Sequence, residues 1–423
     1  MSGNTAPVAR PVPTYRDVLC REGGTAWYVA MGLIRTPVAM APLALVFLGH
    51  STGSFSAGGV LAASHALGEA VGAPFMGRGF DRRPFLGQLR FALLAEALVF
   101  AAVAVLAGHT PLALLVALAF AAGAVAAGVP GGMRAQLSGT TPEHLRHTAL
   151  GLESALNQAV WAAGPVLASL VSTQASPRIA LLLMAVVSAA PLAFAGRIRH
   201  AAPDARADAP EPAGTLSVVR MAWPTVLLAA AIMFLVGAMD VALPARLEST
   251  GQQLALTGVI TGAFALASIA AGLVYGRRTW PGSPGTQTLF LLPAMTAALT
   301  LCAVTGRLWA FFAAFLLGGL FYSPLMIIRN LALQNRLPQN VWATGFSLLY
   351  AAGGLGYGAA ALLTAGLVKA TTPVVTIVVC TALTTVIGLV AGIGERRGAA
   401  PGGTSKEDGA RDDATVRQET EAR

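Results

Sequence analysis

Apolar runs recur along the whole sequence, and runs of about 18 to 25 residues are long enough to cross a ~30 Å hydrocarbon layer. Nothing else constrains the fold as strongly. In lipid, backbone polar groups must find partners inside the protein, so segments of this length cross as helices. Twelve runs are read, near 27–48, 57–76, 85–107, 111–132, 148–171, 179–196, 222–244, 254–275, 286–305, 308–329, 341–368 and 371–393. The expected fold class is an all-α membrane protein with twelve transmembrane helices. Short polar breaks such as Gly108-His109-Thr110-Pro111 and Thr305-Gly306-Arg307 separate neighbouring runs. The composition agrees, with 55% apolar and only 11% charged residues.

A net charge of +9 alone would suit nucleic acid or a membrane surface, and the distribution of the charge decides between them. With the N-terminus inside, 23 of the 28 basic residues fall on the inner connections and the two tails. Arg178, Arg246, Arg307 and Lys369 fall on outer connections, and Arg35 lies within a span. This positive-inside bias places both termini in the cytoplasm and removes the nucleic-acid reading. Arginine supplies nearly all the basic charge, which with the Ala and Gly richness points to a GC-rich bacterial genome and a bacterial cytoplasmic membrane. The first 26 residues are polar, and the run after them is too long for a signal h-region, so no cleavable signal is expected. Cys20, Cys302 and Cys380 offer no disulfide framework.

Between the second and third runs stands Gly77-Arg78-Gly79-Phe80-Asp81-Arg82-Arg83-Pro84, an arginine-dense turn holding one acid. A shift of 199 residues lays Gly59-Val60 on Gly258-Val259, Ala66-Leu67 on Ala265-Leu266, and Gly77-Arg78 on Gly276-Arg277. The chain therefore reads as a duplication, two sets of six spans related by an axis along the membrane normal. The Gly-x-x-x-Asp-Arg-Arg pattern resembles the signature loop between helices 2 and 3 of the major facilitator superfamily. Arg35-Thr36-Pro37-Val38-Ala39-Met40, followed by Leu43-Ala44-Leu45, is similar to an element of actinobacterial drug-export-like facilitators. The resemblance covers essentially the whole chain. It implies two pseudo-symmetric six-helix bundles, residues 27–196 and 222–393, rocking about a central cavity. Spans 1, 4, 7 and 10 would line the cavity, with 2, 5, 8 and 11 at the bundle interface. A cytoplasmic tail (1–26), a proline-rich cytoplasmic linker (197–221) and a disordered cytoplasmic tail (394–423) complete the expected domains.

Charges inside spans are the natural site candidates, because each costs about 2.5–3.5 kcal/mol at a helix centre. They are Arg35, Glu69, Glu96, Glu153 and Asp240. Arg35 and Glu69 each lie eight residues from the inner end of their span, about 12 Å deep, so an ion pair between them is expected. Glu153, Asn157 and Trp161 follow one another at four-residue spacing on one helix face. The Gly164-Pro165 that follows resembles the core of the antiporter signature of proton-coupled drug exporters. Glu153 competes with a simpler placement, solvated near the inner surface. Glu153, Glu69 and Glu96 are the proton-coupling candidates. Arg35, Met40, Asn157, Trp161, Phe234, Met239, Asp240, Tyr322 and Met326 are the substrate-cavity candidates. Gly77, Asp81, Arg82 and Arg83 form the candidate gating loop, with Asp81 expected to face the start of the eleventh span near Val341, where free backbone N–H groups favour an anion. The second half has Trp280 where Asp81 aligns. Asp240 and Arg246 are a candidate outer latch. The fourth span, 111–132, carries no charge, and Arg134 is expected to follow it outside the membrane.

No phosphate-cradling Gly-x-x-x-x-Gly-Lys motif and no metal-ligand spacing occurs, so no enzyme activity, cofactor or metal is expected. The expected function is proton-coupled efflux, by alternating access, of a small hydrophobic or amphipathic compound such as an antibiotic or metabolite. The expected partners are that small-molecule substrate, protons and the lipid bilayer, for a chain acting as a monomer. One alternative is uptake or exchange of a small organic anion using Arg35. Another is a non-transporting sensor or scaffold on the same fold.

Overall fold

The computed structural model describes residues 14–52, 55–198, 214–253, 256–278 and 280–398. The tail before residue 14, the linker between 198 and 214 and the tail after 398, all expected to be cytoplasmic, lie outside the described residues. Among the described residues all regular elements are helices: α1 (Tyr15–Leu19), α2 (Gly24–Thr52), α3 (Phe55–Arg82), α4 (Phe85–Leu106), α5 (Leu112–Ala126), α6 (Val129–Thr140), α7 (Glu143–Gln174) and α8 (Pro177–Ala189), then α9 (Thr215–Ser249), α10 (Leu256–Gly276), α11 (Pro284–Val304), α12 (Leu308–Arg336), α13 (Trp342–Ala370) and α14 (Pro373–Gly398). Nine helical stretches among these residues are long and apolar enough to cross a membrane, with α5 and α6 counted as one. Three of the twelve expected spans fall outside that group. The helices α3 and α7 are long but interrupted by polar residues, and Pro177–Ala193 is short.

The ends of the helices follow local chemistry. Thr14 caps α1 reciprocally with Asp17, and Ser176 and Ser283 cap helices whose first residues, Pro177 and Pro284, have no N–H to satisfy. Large apolar side chains point outward, as on Phe75, Phe290, Val304 and Leu362, each more than 70% exposed. A water-facing protein would not carry so extensive an apolar skin. It suits lipid.

Two boundaries differ from the sequence reading. The Gly77–Arg82 stretch is not a turn: α3 continues through it, and only Arg83-Pro84 connects to α4. Glycine disfavours helix by about 1 kcal/mol, but tertiary packing overrides that preference here. The fourth span runs on past residue 132 through α6 to Thr140, so Arg134 lies inside it.

In the first half α2 packs on α3, α7 and α8, while α5 packs on α3 and α4; in the second, α9 packs on α13 and α14, and α12 on α10 and α11. The halves meet through α3 with α13, α7 with α10, and α6 with α13. These contacts need small residues, because in lipid helices associate by close packing rather than by hydrophobic exclusion. A Cβ on Gly151 would lie 2.7 Å from the Gly272 carbonyl oxygen and 2.8 Å from the Gly276 Cα. Thr148 Oγ1 donates to the Gly276 carbonyl at 2.8 Å, and Tyr15 Oη donates to the Leu273 carbonyl on the same helix. Burial pushes the Tyr15 phenol up to about 12, which keeps it a donor at neutral pH.

Gly151→Val should overpack this contact by about 1–3 kcal/mol and lower the thermal unfolding midpoint by a few degrees. Gly354→Val, where an added Cβ meets open space, should leave the midpoint within about one degree. Equal midpoints for the two variants would show that the backbone approach at Gly151 does not require glycine.

Candidate functional site

The centre of the structure is a buried charge network. Glu153 on α7 is 2% exposed, and its Oε1 accepts from Arg35 Nη2 of α2 at 2.8 Å and from Arg134 Nη2 of α6 at 2.5 Å. Asn157, one helical turn along α7, accepts from Arg35 Nη1 through Oδ1. The Arg134 guanidinium also stands 5.7 Å from the centroid of the Phe346 ring of α13, a cation–π contact across the halves. A carboxylate taken out of water is stable only with such partners. Glu153 is thus not solvated near the inner surface. The expected Arg35–Glu69 pair is also corrected, because residue count fixed their depth but not the direction each side chain takes around its helix. Arg35 faces α7, whereas Glu69 faces α13.

Glu69 accepts from the Tyr350 hydroxyl of α13 at 3.4 Å, and its other oxygen lies 3.9 Å from His65 Nδ1 one turn earlier. His65 stacks on Phe100 of α4 with ring centroids 5.9 Å apart. Glu96, on α4, is 1% exposed and is an electrostatic neighbour of Glu69. Among the described residues neither Glu69 nor Glu96 has an arginine or lysine within ion-pair distance, in contrast with Glu153.

At the end of α3, Asp81 reaches the N-terminus of α13. Its Oδ1 accepts from the Ala343 N–H at 3.0 Å, and its Oδ2 from the Thr344 N–H at 2.8 Å and the Thr344 hydroxyl at 2.5 Å. The first N–H groups of a helix have no partners within it, and the helix dipole favours a negative charge there. Close approach is possible because Gly77 and Gly131 both face Ser347, where any Cβ would come within 2.6 Å of its Oγ. Arg82 and Arg83 are exposed beside the contact. Among the described residues the second half shows no equivalent: α10 ends at Gly276, and Trp280 stacks on Tyr275 with centroids 5.2 Å apart.

The apolar candidates divide. Tyr322 and Met326 share a face of α12 with Arg329, and Phe234 and Met239 on α9 belong to the same buried cluster. The Tyr322 hydroxyl reaches Met233 Sδ at 3.6 Å. Met40 is buried in a different cluster, with Leu45, Leu48 and Phe100. Trp161 is 41% exposed near the middle of α7. Asp240 accepts from the Tyr357 hydroxyl at 2.9 Å, while Arg246 donates to the carbonyls of Cys302 and Ala303, so the expected Asp240–Arg246 latch does not form. Arg134 and Arg329 were missed as site residues because each sits near the end of an apolar run and reads as part of the next connection. The spacing of Tyr322, Met326 and Arg329, which places all three on one helix face, was the available signal for the second.

Residues 28–284 match the Major Facilitator Superfamily. The chain belongs to that superfamily. No curated protein sequence matches it. Among solved structures it is similar to the human organic anion transporter MFSD10 (TETRAN), at 15% identity over 90% of this chain and 99% of that one, with a TM-score of 0.68. It is similar also to a bacterial homologue of the iron transporter ferroportin in its outward-facing state, at 16% identity over 87% and 98% of the two chains, with a TM-score of 0.64. The same homologue with soaked iron gives 15% identity, coverages of 87% and 98%, and a TM-score of 0.61. At these identities the likeness is one of fold.

Glu153→Gln would leave two buried guanidinium groups without their carboxylate, whereas Arg35→Gln leaves Glu153 still held by Arg134. Removing one partner of a buried pair costs about 3–5 kcal/mol. Thermal unfolding of the purified protein should therefore show a larger midpoint loss for Glu153→Gln than for Arg35→Gln. The reverse order would mean that Glu153 is not the hub of the network.

Proposed function

We propose that the protein is a secondary active transporter working by alternating access in a bacterial cytoplasmic membrane. In this reading twelve spans form two six-helix bundles, α2–α8 and α9–α14, and both termini are cytoplasmic. The observation that carries it is the Asp81 contact. A carboxylate from one half accepts three hydrogen bonds from a helix start in the other, through groups that water can satisfy when they part. Such a contact closes the cytoplasmic end without fixing it permanently. The glycine-lined approaches beside it open by sliding or tilting, with no large side chains to disengage.

Movement of a small amphipathic compound outward, driven by protons, fits the chemistry of the interior. Glu153, clamped by two arginines, organises the first half. Glu69 is the better proton carrier, since its neighbours are His65, Tyr350 and Glu96 rather than a fixed cation. Tyr350 ties that carboxyl to α13, so protonation of Glu69 bears on the same helix that Asp81 holds. Phe234, Met239, Tyr322 and Met326 offer adaptable apolar walls suited to mixed substrates.

Reconstitution into proteoliposomes with an imposed pH gradient tests this reading, with fluorescent amphipathic dyes as substrates. The wild-type protein should move dye only with the gradient, and Glu69→Gln should abolish the dependence on pH. Asp81→Ala should lower the rate at least about tenfold, because charge-assisted hydrogen bonds contribute about 1.5–3 kcal/mol. Gradient-independent movement would exclude proton coupling. No movement across a broad substrate panel would favour a sensor or scaffold on the same fold.

A further inference from the structure

Arg329 lies seven residues from the cytoplasmic end of α12, is 7% exposed, and has an Nε that is buried without a partner. Among the described residues no carboxylate stands within ion-pair distance of it. Its electrostatic neighbours are Arg134, Arg35, Glu153 and Tyr322. The central cluster therefore holds three guanidinium groups and one carboxylate, and that carboxylate is already shared by Arg35 and Arg134 through a single oxygen. Nε of Arg35 and Nε of Arg134 are likewise buried and unpartnered. Glu69 and Asp240 are committed elsewhere, to Tyr350 and Tyr357.

A buried cation without a counter-charge is too costly to be maintained for packing alone, and an apolar residue of similar size would serve packing better. We infer that Arg329, beside the Arg35–Glu153–Arg134 network, is the binding site for the anionic group of a small amphipathic substrate, of the carboxylate or sulfonate class. This deepens the transport reading above and rests on it for the word substrate. The planar fork of a guanidinium matches two oxygens of such a group. Met326 and Tyr322, three and seven residues before Arg329 on the same helix face, receive the apolar body of the ligand. Glu153, an electrostatic neighbour of Arg329, repels a second negative charge, so the site favours a monoanion over a dianion.

The test uses full-length protein in nanodiscs of zwitterionic lipid, so that no lipid supplies the anion, with 2-naphthoate as probe and its neutral isostere 2-naphthamide as control. Binding is read by calorimetry and by the shift in thermal unfolding. Naphthoate should bind and stabilise the protein while naphthamide does not. Arg329→Gln should weaken naphthoate binding by about 10- to 100-fold, the loss expected for a charge-assisted contact. Arg329→Lys, which keeps the charge but not the fork, should lose less. Arg329→Met should raise the unfolding midpoint of the ligand-free protein, a change that a merely structural arginine would reverse. Equal binding of acid and amide, unchanged affinity in Arg329→Gln, or no binding of naphthoate would each overturn the inference. So would stabilisation by phosphatidylglycerol that needs Arg329 while naphthoate has no effect. Because binding is measured without a gradient, its success alongside failed vesicle transport would remove the transport reading and leave the anion site standing.

Discussion

One carboxylate holds the first half of the molecule together. Glu153 joins α2, α6 and α7 at a depth where no bulk water is available, and its two arginines lose their main acceptor without it. Lipid is as apolar as a leucine-rich helix surface, so helix association in the membrane relies on shape and on buried polar contacts such as these. The network also reaches across to the second half through the Arg134 contact with the Phe346 ring.

That ring sits in a short stretch of α13 with an unusual share of the cross-contacts. Ala343 and Thr344 bind Asp81, Phe346 meets Arg134, Ser347 fits against Gly77 and Gly131, and Tyr350 reaches Glu69. The beginning of one helix thus meets Asp81, the ion network and the carboxyl proposed to take a proton. A tilt of α13 cannot disturb one of these contacts and spare the rest. At the end of α10, which aligns in sequence with the end of α3, Trp280 stacks on Tyr275.

Much of this was legible in the sequence for physical reasons. Apolar run length marks helices because the bilayer has a fixed thickness. Asp81 among arginines pointed to an anion facing a helix start. The pairing of charges was not legible, since depth along a helix follows from counting residues but facing direction depends on how neighbours pack. Arg35 was therefore assigned to Glu69 when it pairs with Glu153. Arg134 was read as lying beyond its helix because the apolar run was taken to stop at residue 132, whereas the helix continues to Thr140 and Gly131 lets α13 come close. Arg329 looked like one more topology-setting charge until its burial without a partner became visible.

The backbone approach of α7 and α10 at Gly151 and Gly276 has a consequence for energetics. A seam of small residues lets two backbones touch directly, and the Thr148 hydroxyl donates across it to the Gly276 carbonyl. A transporter that must visit two arrangements many times a second needs them separated by only a few kcal/mol. Larger residues along this seam would clash with backbone atoms and so bias the molecule away from the arrangement described here.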